Sequence, residues 1–416
     1  MIKLPYIKFA AYICSMIIHI DCNTFFASCE LATRPELVNE PVIVANINEA
    51  GGGIILALNK PAKDIGLKRG IPIFQLKNIV DEKSVTVFPV DHKKYHRISQ
   101  TIMEAVIKQD IIQNFVQYSV DEFFGSMPIE DPEEVKFYVK KVVDEITRVS
   151  NIPVSCGCSN TYTLAKTATH FAKIYPGYKG ICVITPEKRE NALSLLPIED
   201  VWGIGRKLRE KLKKAGIKTA LDFVKKEHLF VQNIANTQGV KTWLELKGTP
   251  SIKLEQNELQ QSIGQSQTFT YMTSDYETMR SYISDFTTIC CSKLRQQNGV
   301  CKAVNVFIAT NRHRDDLEQY NNNISIRTNE YTANTQEILK AALSGLEKIF
   351  KPNYMYKQAG VTLTDICNKN QIIHSLFETG TEQKRAKLMQ AIDNINAKFG
   401  EEKIHLAIQE KRKQKK

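Results

Sequence analysis

From Met16 to about Gly180, short β-branched runs alternate with segments of helical period, and this alternation restricts the chain to mixed α/β architectures. Residues 17–20 (Ile-Ile-His-Ile) predict a strand and residues 23–31 a helix. Residues 41–45 and 53–57 predict strands, and 95–108 a helix with Ile98, Ile102 and Val106 on one face. Around Asn191 the pattern becomes all-helical, with dense Lys and Arg over residues 206–226. Residues 248–261 are polar, contain Pro250 and predict an interdomain tether. A second α+β unit follows: strand 265–271, then a helix opened by Ser274 or Asp275 with Met279, Ile283 and Phe286 inward, then strands 303–310 and 325–328, helix 335–350 and strand 358–363. The tail from Cys367 carries one amphipathic helix (Leu388, Ile392, Ile395, Phe399) and ends in Lys411-Arg412-Lys413-Gln414-Lys415-Lys416.

Composition narrows the class. Over 416 residues, 43% hydrophobic and 24% charged content excludes a disordered chain. No segment approaches the ~18 uninterrupted apolar residues of a membrane span. Lys plus Arg is 56 against 45 Asp plus Glu, a net charge of +11 that suits a polyanionic partner such as nucleic acid. The ten cysteines form no CxxC pair, and Cys156-x-Cys158 and Cys290-Cys291 have the wrong spacing for zinc. The first fifteen residues are too polar for a secretory signal, so the thiols are expected to be reduced and the protein cytoplasmic. The strand pattern opens cleanly at Met16, an alternative translation start.

Strands deliver the carboxylates that could carry chemistry. Asp21 ends an apolar strand and immediately precedes a helix, where a side chain emerges from a sheet edge. Asp121 and Glu122 lie in Tyr118-Ser119-Val120-Asp121-Glu122-Phe123-Phe124, between two apolar runs. Neighbouring side chains of a regular strand face opposite ways, so both acids serve one site only at a turn or bulge. Clustered carboxylates repel unless cations neutralise them, and hard oxygen ligands point to Mg²⁺. The alternative is a capping Asp21 and a solvated acidic turn.

A second signal is Asp200-Val201-Trp202-Gly203-Ile204-Gly205-Arg206-Lys207-Leu208. The Gly203-Ile204-Gly205 turn leads into a helix bearing Arg206, Lys207, Arg209, Lys211, Lys213 and Lys214, opposed by Glu210. Glycines allow close backbone approach and the helix start offers free N–H groups, so the segment resembles a helix-hairpin-helix holding a DNA phosphate. A merely solvated basic helix is the alternative. Gly51-Gly52-Gly53 lacks the GxxxxGK[ST] frame and predicts a tight strand connection. Cys156, Cys158, Cys182, Cys290 and Cys301 in apolar contexts, and His19 on its apolar strand, predict core packing.

Met16 to Glu30 (MIIHIDCNTFFASCE), Tyr118 to Phe123 (YSVDEF), Thr163 to Lys173 (TLAKTATHFAK) and Asp200 to Gly205 (DVWGIG) occur in the order and spacing of Y-family translesion DNA polymerases. The resemblance runs from Met16 to about Lys403, and DVWGIGR with NAKFG in the tail is similar to the UmuC branch, the catalytic subunit of DNA polymerase V type, which acts in the SOS response to DNA damage. It implies an α+β multidomain right-hand fold: palm at residues 16–24 and 90–180, fingers at 25–89 and a helical thumb with helix-hairpin-helix at 181–247. A linker at 248–261, a little finger at 262–366 and a tail at 367–416 complete it.

The implied activity is template-directed addition of a dNTP to a primer 3′-OH by two-metal phosphoryl transfer. The resemblance makes Asp21, Asp121 and Glu122 the catalytic ligands of two Mg²⁺ ions, with the Cys22 carbonyl also on a metal. Phe26 becomes the aromatic steric gate against a ribonucleotide 2′-hydroxyl. Lys63 and Lys173 become triphosphate contacts, while Lys60 stands where many relatives carry Tyr. Gly203, Ile204, Gly205, Lys207, Lys213 and Lys214 become DNA contacts. Leu376 and Phe377 fall in the clamp-binding pentapeptide, whose usual leading Gln is Ile373 here. Implied partners are primer-template DNA, dNTP, a sliding clamp and a UmuD-type protein, although the lysine-rich end differs from the usual UmuC terminus. Competing readings are a non-catalytic DNA-binding scaffold and a metal-dependent nuclease.

Overall fold

A computed structural model describes residues 16–47, 52–254, 259–371, 380–399 and 404. The chain divides into two compact units, residues 1–256 and 257–416. The strands are β1 (Met16–Cys22), β2 (Val42–Ile47), β3 (Gly53–Leu58), β4 (Thr86–Pro89), β5 (Gln113–Gln117), β6 (Glu122–Met127), β7 (Val154–Ser159) and β8 (Ile181–Val183), followed by β9 (Ile263–Thr273), β10 (Gly299–Thr310), β11 (Asn321–Thr332) and β12 (Tyr356–Asn368).

The first unit is built on a five-stranded sheet of order β5-β6-β1-β7-β8. β1 lies antiparallel between β6 and β7. Strand alternation sorts its residues onto two faces. Ile18, Ile20 and Cys22 enter a core shared with Ile102 and Val106 of helix His92–Ile107 and with Val135, Val139, Val142 and Ile146 of helix Pro132–Ser150. His19 and Asp21 turn to the opposite face, which is covered by helix Tyr162–Ile174. That helix lies close because Gly157 of β7 has no side chain: a Cβ there would sit 2.1 Å from the Thr169 amide nitrogen.

A three-stranded sheet of order β3-β2-β4 packs its own small core. Asn59 ties it to the short helix Lys60–Asp64 by accepting hydrogen bonds from the backbone N–H groups of Val42 (3.0 Å) and Ala62 (3.1 Å). Residues 48–51, which include the first glycine of the predicted Gly51-Gly52-Gly53 connection, lie outside the described residues; Gly53 opens β3.

After β8 come helices Pro186–Leu195, Arg206–Lys214, Ala220–Val224, His228–Ile234 and Thr237–Leu246. Glu245, fully buried, joins this helical region to helix Tyr162–Ile174. Its carboxylate accepts from the backbone N–H groups of Thr163 (2.9 Å), Ser251 (2.8 Å) and Ile252 (3.1 Å). Glu245→Ala orphans three donors at once, the Thr163 amide buried and those of Ser251 and Ile252 part-buried. The expected loss is about 3–5 kcal/mol of stability, read as a lower urea midpoint, and Glu245→Gln should recover part of it.

The second unit is a four-stranded antiparallel sheet of order β11-β10-β12-β9. Helices Tyr276–Gln296 and Thr335–Ile349 supply its core, with Met279, Ile283 and Phe286 buried; Asp275, rather than Ser274, caps the first helix. Helix Gly380–Phe399 departs from the amphipathic expectation. Leu388, Ile395 and Phe399 are exposed, Ile392 is half-buried and Met389 is buried, because the bidentate pair of Asp393 with Arg295 (2.6 and 2.8 Å) selects the docked face. The described cysteines are free, and all but Cys367 are buried.

Candidate active site

β1 and β6 pair in a register that sets Asp21 directly opposite Glu122. Asp121 is the last residue of the turn that precedes β6, and its carbonyl accepts the Cys22 N–H at 2.9 Å. The turn is closed by Tyr118 and Ser119 amides donating to the Glu122 carbonyl (2.9 and 3.1 Å). This turn answers the objection that adjacent residues face apart, since Asp121 is not yet in the pleat of β6.

Two lysines spaced about two turns apart on helix Tyr162–Ile174 reach these acids. Lys173 Nζ lies 2.6 Å from Asp21 Oδ1, and Lys166 Nζ 2.7 Å from Glu122 Oε1. Asp121 accepts from the Ser119 hydroxyl at 2.6 Å. Burial raises the Asp21 carboxyl to about 6; Lys173 opposes the rise, and the charges of Glu122 and Asp121 add to it. Beneath them His19 is buried, its Nδ1 2.8 Å from the Thr169 hydroxyl. It is not fully satisfied, because Nε2 has no hydrogen-bond partner and lies 3.7 Å from Glu122 Oε1. Burial and the two lysine charges push its pKa well down, so the ring is neutral.

The donor set, three carboxylates with the adjoining Cys22 thiol turned into the core, suits a hard divalent cation. Among the described residues, however, no three such side chains converge into a ready cage. Asp21 and Glu122 are turned onto lysines and Asp121 onto Ser119, so protein cations and a hydroxyl hold the charges in place. The Cys22 thiol is buried.

Phe25 and Phe26 open helix Phe25–Leu31 and diverge. Phe25 enters the core, whereas Phe26 is half-buried, stacked on Tyr95 (centroids 4.5 Å apart, 18° between planes) and edge-on to His92. Lys63 is exposed on helix Lys60–Asp64, and Lys60 pairs with Asp64.

In the hairpin, Gly203 adopts φ +89 and Gly205 caps the basic helix; both are exposed. Ile204 buries its side chain in the helical core and its amide donates to the Val201 carbonyl, so the turn presents backbone to its surroundings. An apolar residue between two exposed glycines anchors the turn from inside. Lys207 and Lys214 are exposed, and Lys213 pairs with Glu199 at 2.9 Å. Leu376 and Phe377 lie outside the described residues, as does the terminal lysine run.

Sequence reading missed Lys166 and Trp202. The ammonium of Lys166 sits 4.9, 5.9 and 5.3 Å from the ring centroids of Tyr118, Phe124 and Trp202. A signal for the lysine was present: Lys166, Thr169 and Lys173 recur at helical spacing within TLAKTATHFAK. Nothing local marks Trp202 as their neighbour.

Solved structures of similar shape include a Y-family DNA polymerase chimera (23% identical, TM-score 0.67, covering 85% of this chain and 99% of that one). DinB from Sulfolobus solfataricus is another (22% identical, TM-score 0.52, covering 85% and 99%). The fold is thus the right-hand α+β architecture of Y-family DNA polymerases. Three descriptions of one family match in register: impB/mucB/samB family over residues 20–170, the IMS family HHH motif over 186–217 and the impB/mucB/samB C-terminal domain over 260–376. A domain of unknown function, DUF4113, matches residues 386–415. Protein ImpB of Salmonella typhimurium is 30% identical over 90% of this chain and 89% of its own length. Protein UmuC of Salmonella typhimurium is 29% identical (93% and 92%), and DNA polymerase IV of Bacillus velezensis 26% (94% and 92%).

The chain belongs to the impB/mucB/samB family, the UmuC branch of the Y-family, and is a DNA polymerase of the translesion type. Polymerases of this class work with divalent metal. Among the described residues no helix is long and apolar enough to cross a membrane.

Proposed function

We propose that Asp21, Asp121 and Glu122 are the catalytic carboxylates and hold two Mg²⁺ ions, while this chain adds a dNTP to a primer 3′-OH. The observation that carries the reading is the β1–β6 register, which brings Asp21 opposite Glu122 with Asp121 in the adjoining turn. Bound there, the ions would neutralise the phosphates and stabilise the attacking and leaving oxygens. Lys173, now on Asp21, and exposed Lys63 supply charge for a triphosphate. Phe26, backed by Tyr95 and His92, excludes a 2′-hydroxyl by bulk. Under this reading residues 16–24 and 90–180 are the palm, residues 25–89 the fingers and 181–247 the thumb, whose first residues, Ile181–Val183, add the edge strand β8 to the palm sheet. Residues 262–366 form the little finger, after a linker at 248–261. Extension of a primed template tests the activity: a scaffold leaves the primer unchanged and a nuclease shortens it.

The thumb reading gives a second test. The Gly203-Ile204-Gly205 backbone and the exposed lysines would grip phosphates without reading bases. Replacing Lys207, Lys213 and Lys214 with Ala should weaken DNA binding for every sequence and flatten the salt slope by up to ~0.9 per lost contact. Lys207 and Lys214 should contribute more than Lys213, which must first leave Glu199. An unchanged slope means a solvated face. Docking of Leu376 and Phe377 on a sliding clamp, a UmuD-type partner and a bacterial cytoplasmic setting complete the proposal, supported by the UmuC-type relatives and the free thiols.

A further inference from the structure

Lys166 is the one cation on Glu122 among the described residues, and its other surroundings are aromatic. Tyr118 comes from the turn that carries Asp121, Phe124 from β6 and Trp202 from the residue before Gly203 of the hairpin. The three rings brace one another: Tyr118 meets Trp202 edge-on at 5.7 Å, and Phe124 lies 6.0 Å from Trp202. The side chain of Lys166 is largely buried, at 15% exposure. An ammonium stripped of its carboxylate at such a site would be an unpaired buried charge, which is costly. An aromatic box removes that difficulty, because ring faces attract a desolvated cation by about 2 kcal/mol or more.

We propose that Trp202 is a positioning residue: with Tyr118 and Phe124 it gives the Lys166 ammonium a second resting place, so that Glu122 can leave the lysine and turn to a divalent cation. The hairpin that carries Trp202 also carries the exposed glycines, so seating of the hairpin and readiness of Glu122 are one event. The inference rests on Glu122 being a metal ligand.

The test is the Mg²⁺ dependence of primer extension. Trp202→Ala removes one of the three rings over Lys166 and the brace of the other two, so the Mg²⁺ concentration for half-maximal extension should rise about tenfold, with the rate at saturating Mg²⁺ much less affected. Trp202→Phe should restore most of the loss. In a Lys166→Met chain no ammonium competes, so adding Trp202→Ala should change the half-saturating Mg²⁺ little. A second readout needs no turnover. The chain has two tryptophans, so Trp243→Phe makes Trp202 the sole indole emitter. Its fluorescence should respond to Mg²⁺ on a dideoxy-terminated primer-template with dNTP, and Glu122→Gln should remove the response. Equal multiplicative losses from Trp202→Ala with and without Lys166, or a Trp202 emission blind to Mg²⁺, overturn the proposal. Normal extension by Glu122→Ala would instead overturn the metal-site reading beneath it. If Trp202→Ala fails to fold, the Trp202→Phe and Trp202→Leu pair carries the same comparison.

Discussion

Asp21→Ala, Asp121→Ala and Glu122→Ala should each lower primer extension on the order of a thousandfold or more, because each removes a carboxylate from the place where phosphoryl-transfer charge is neutralised. The fold should survive all three. Asp121 is held by a hydroxyl of its own turn, and Glu122 lies at the open end of β6. The Asp21 carboxyl is raised to about 6 against an ordinary 3.8, with burial the main cause. Ionisation in the folded chain is therefore unfavourable: full relative stability exists below about pH 4 and is lost as pH rises through 6. Asp21→Asn should match the parent's melting temperature at pH 4 and equal or exceed it at pH 8 without metal, while extension is lost. Near-normal extension by Asp121→Ala would remove these acids from the chemistry, and a collapse in melting temperature would make the lost activity uninformative.

Phe26→Ala should admit ribonucleotides. The Phe26 ring is stacked on Tyr95 and flanked by His92, so it cannot easily yield to an added hydroxyl. Forcing extra atoms against a packed ring costs about 1–3 kcal/mol, roughly ten- to a hundredfold in discrimination. Truncation should raise ribonucleotide incorporation by that factor while deoxynucleotide addition stays measurable. Phe25 serves as the control: it lies in the core, so Phe25→Ala should lower the melting temperature and leave sugar preference unchanged. If ribonucleotide use does not rise in Phe26→Ala, another residue excludes the hydroxyl.

Much of this arrangement was legible in the chain. Strand β1, the acids at its end and where the turn passes into β6, and the glycine hairpin before a basic helix all follow from local period and turn chemistry. The sequence narrows the cap of helix Tyr276–Gln296 to Ser274 or Asp275, and the structure selects Asp275. One expectation fails in part. An amphipathic tail helix sets Leu388, Ile392, Ile395 and Phe399 on one face, yet of these four Ile392 alone is half-buried, because hydropathy in sequence does not say which side a distant partner covers.

What the sequence determined by itself is where the carboxylates stand, since a strand's period and a turn's residues act within a few positions. Who holds those carboxylates was decided only in three dimensions. Lys166 meets Glu122 and Lys173 meets Asp21 because Gly157 lets the helix lie against the sheet. Trp202 reaches Lys166 because the helical region is fastened through Glu245 to that helix's first turn. Contacts between residues so far apart in the chain depend on strand pairing and close packing of a whole unit, and no local pattern encodes them.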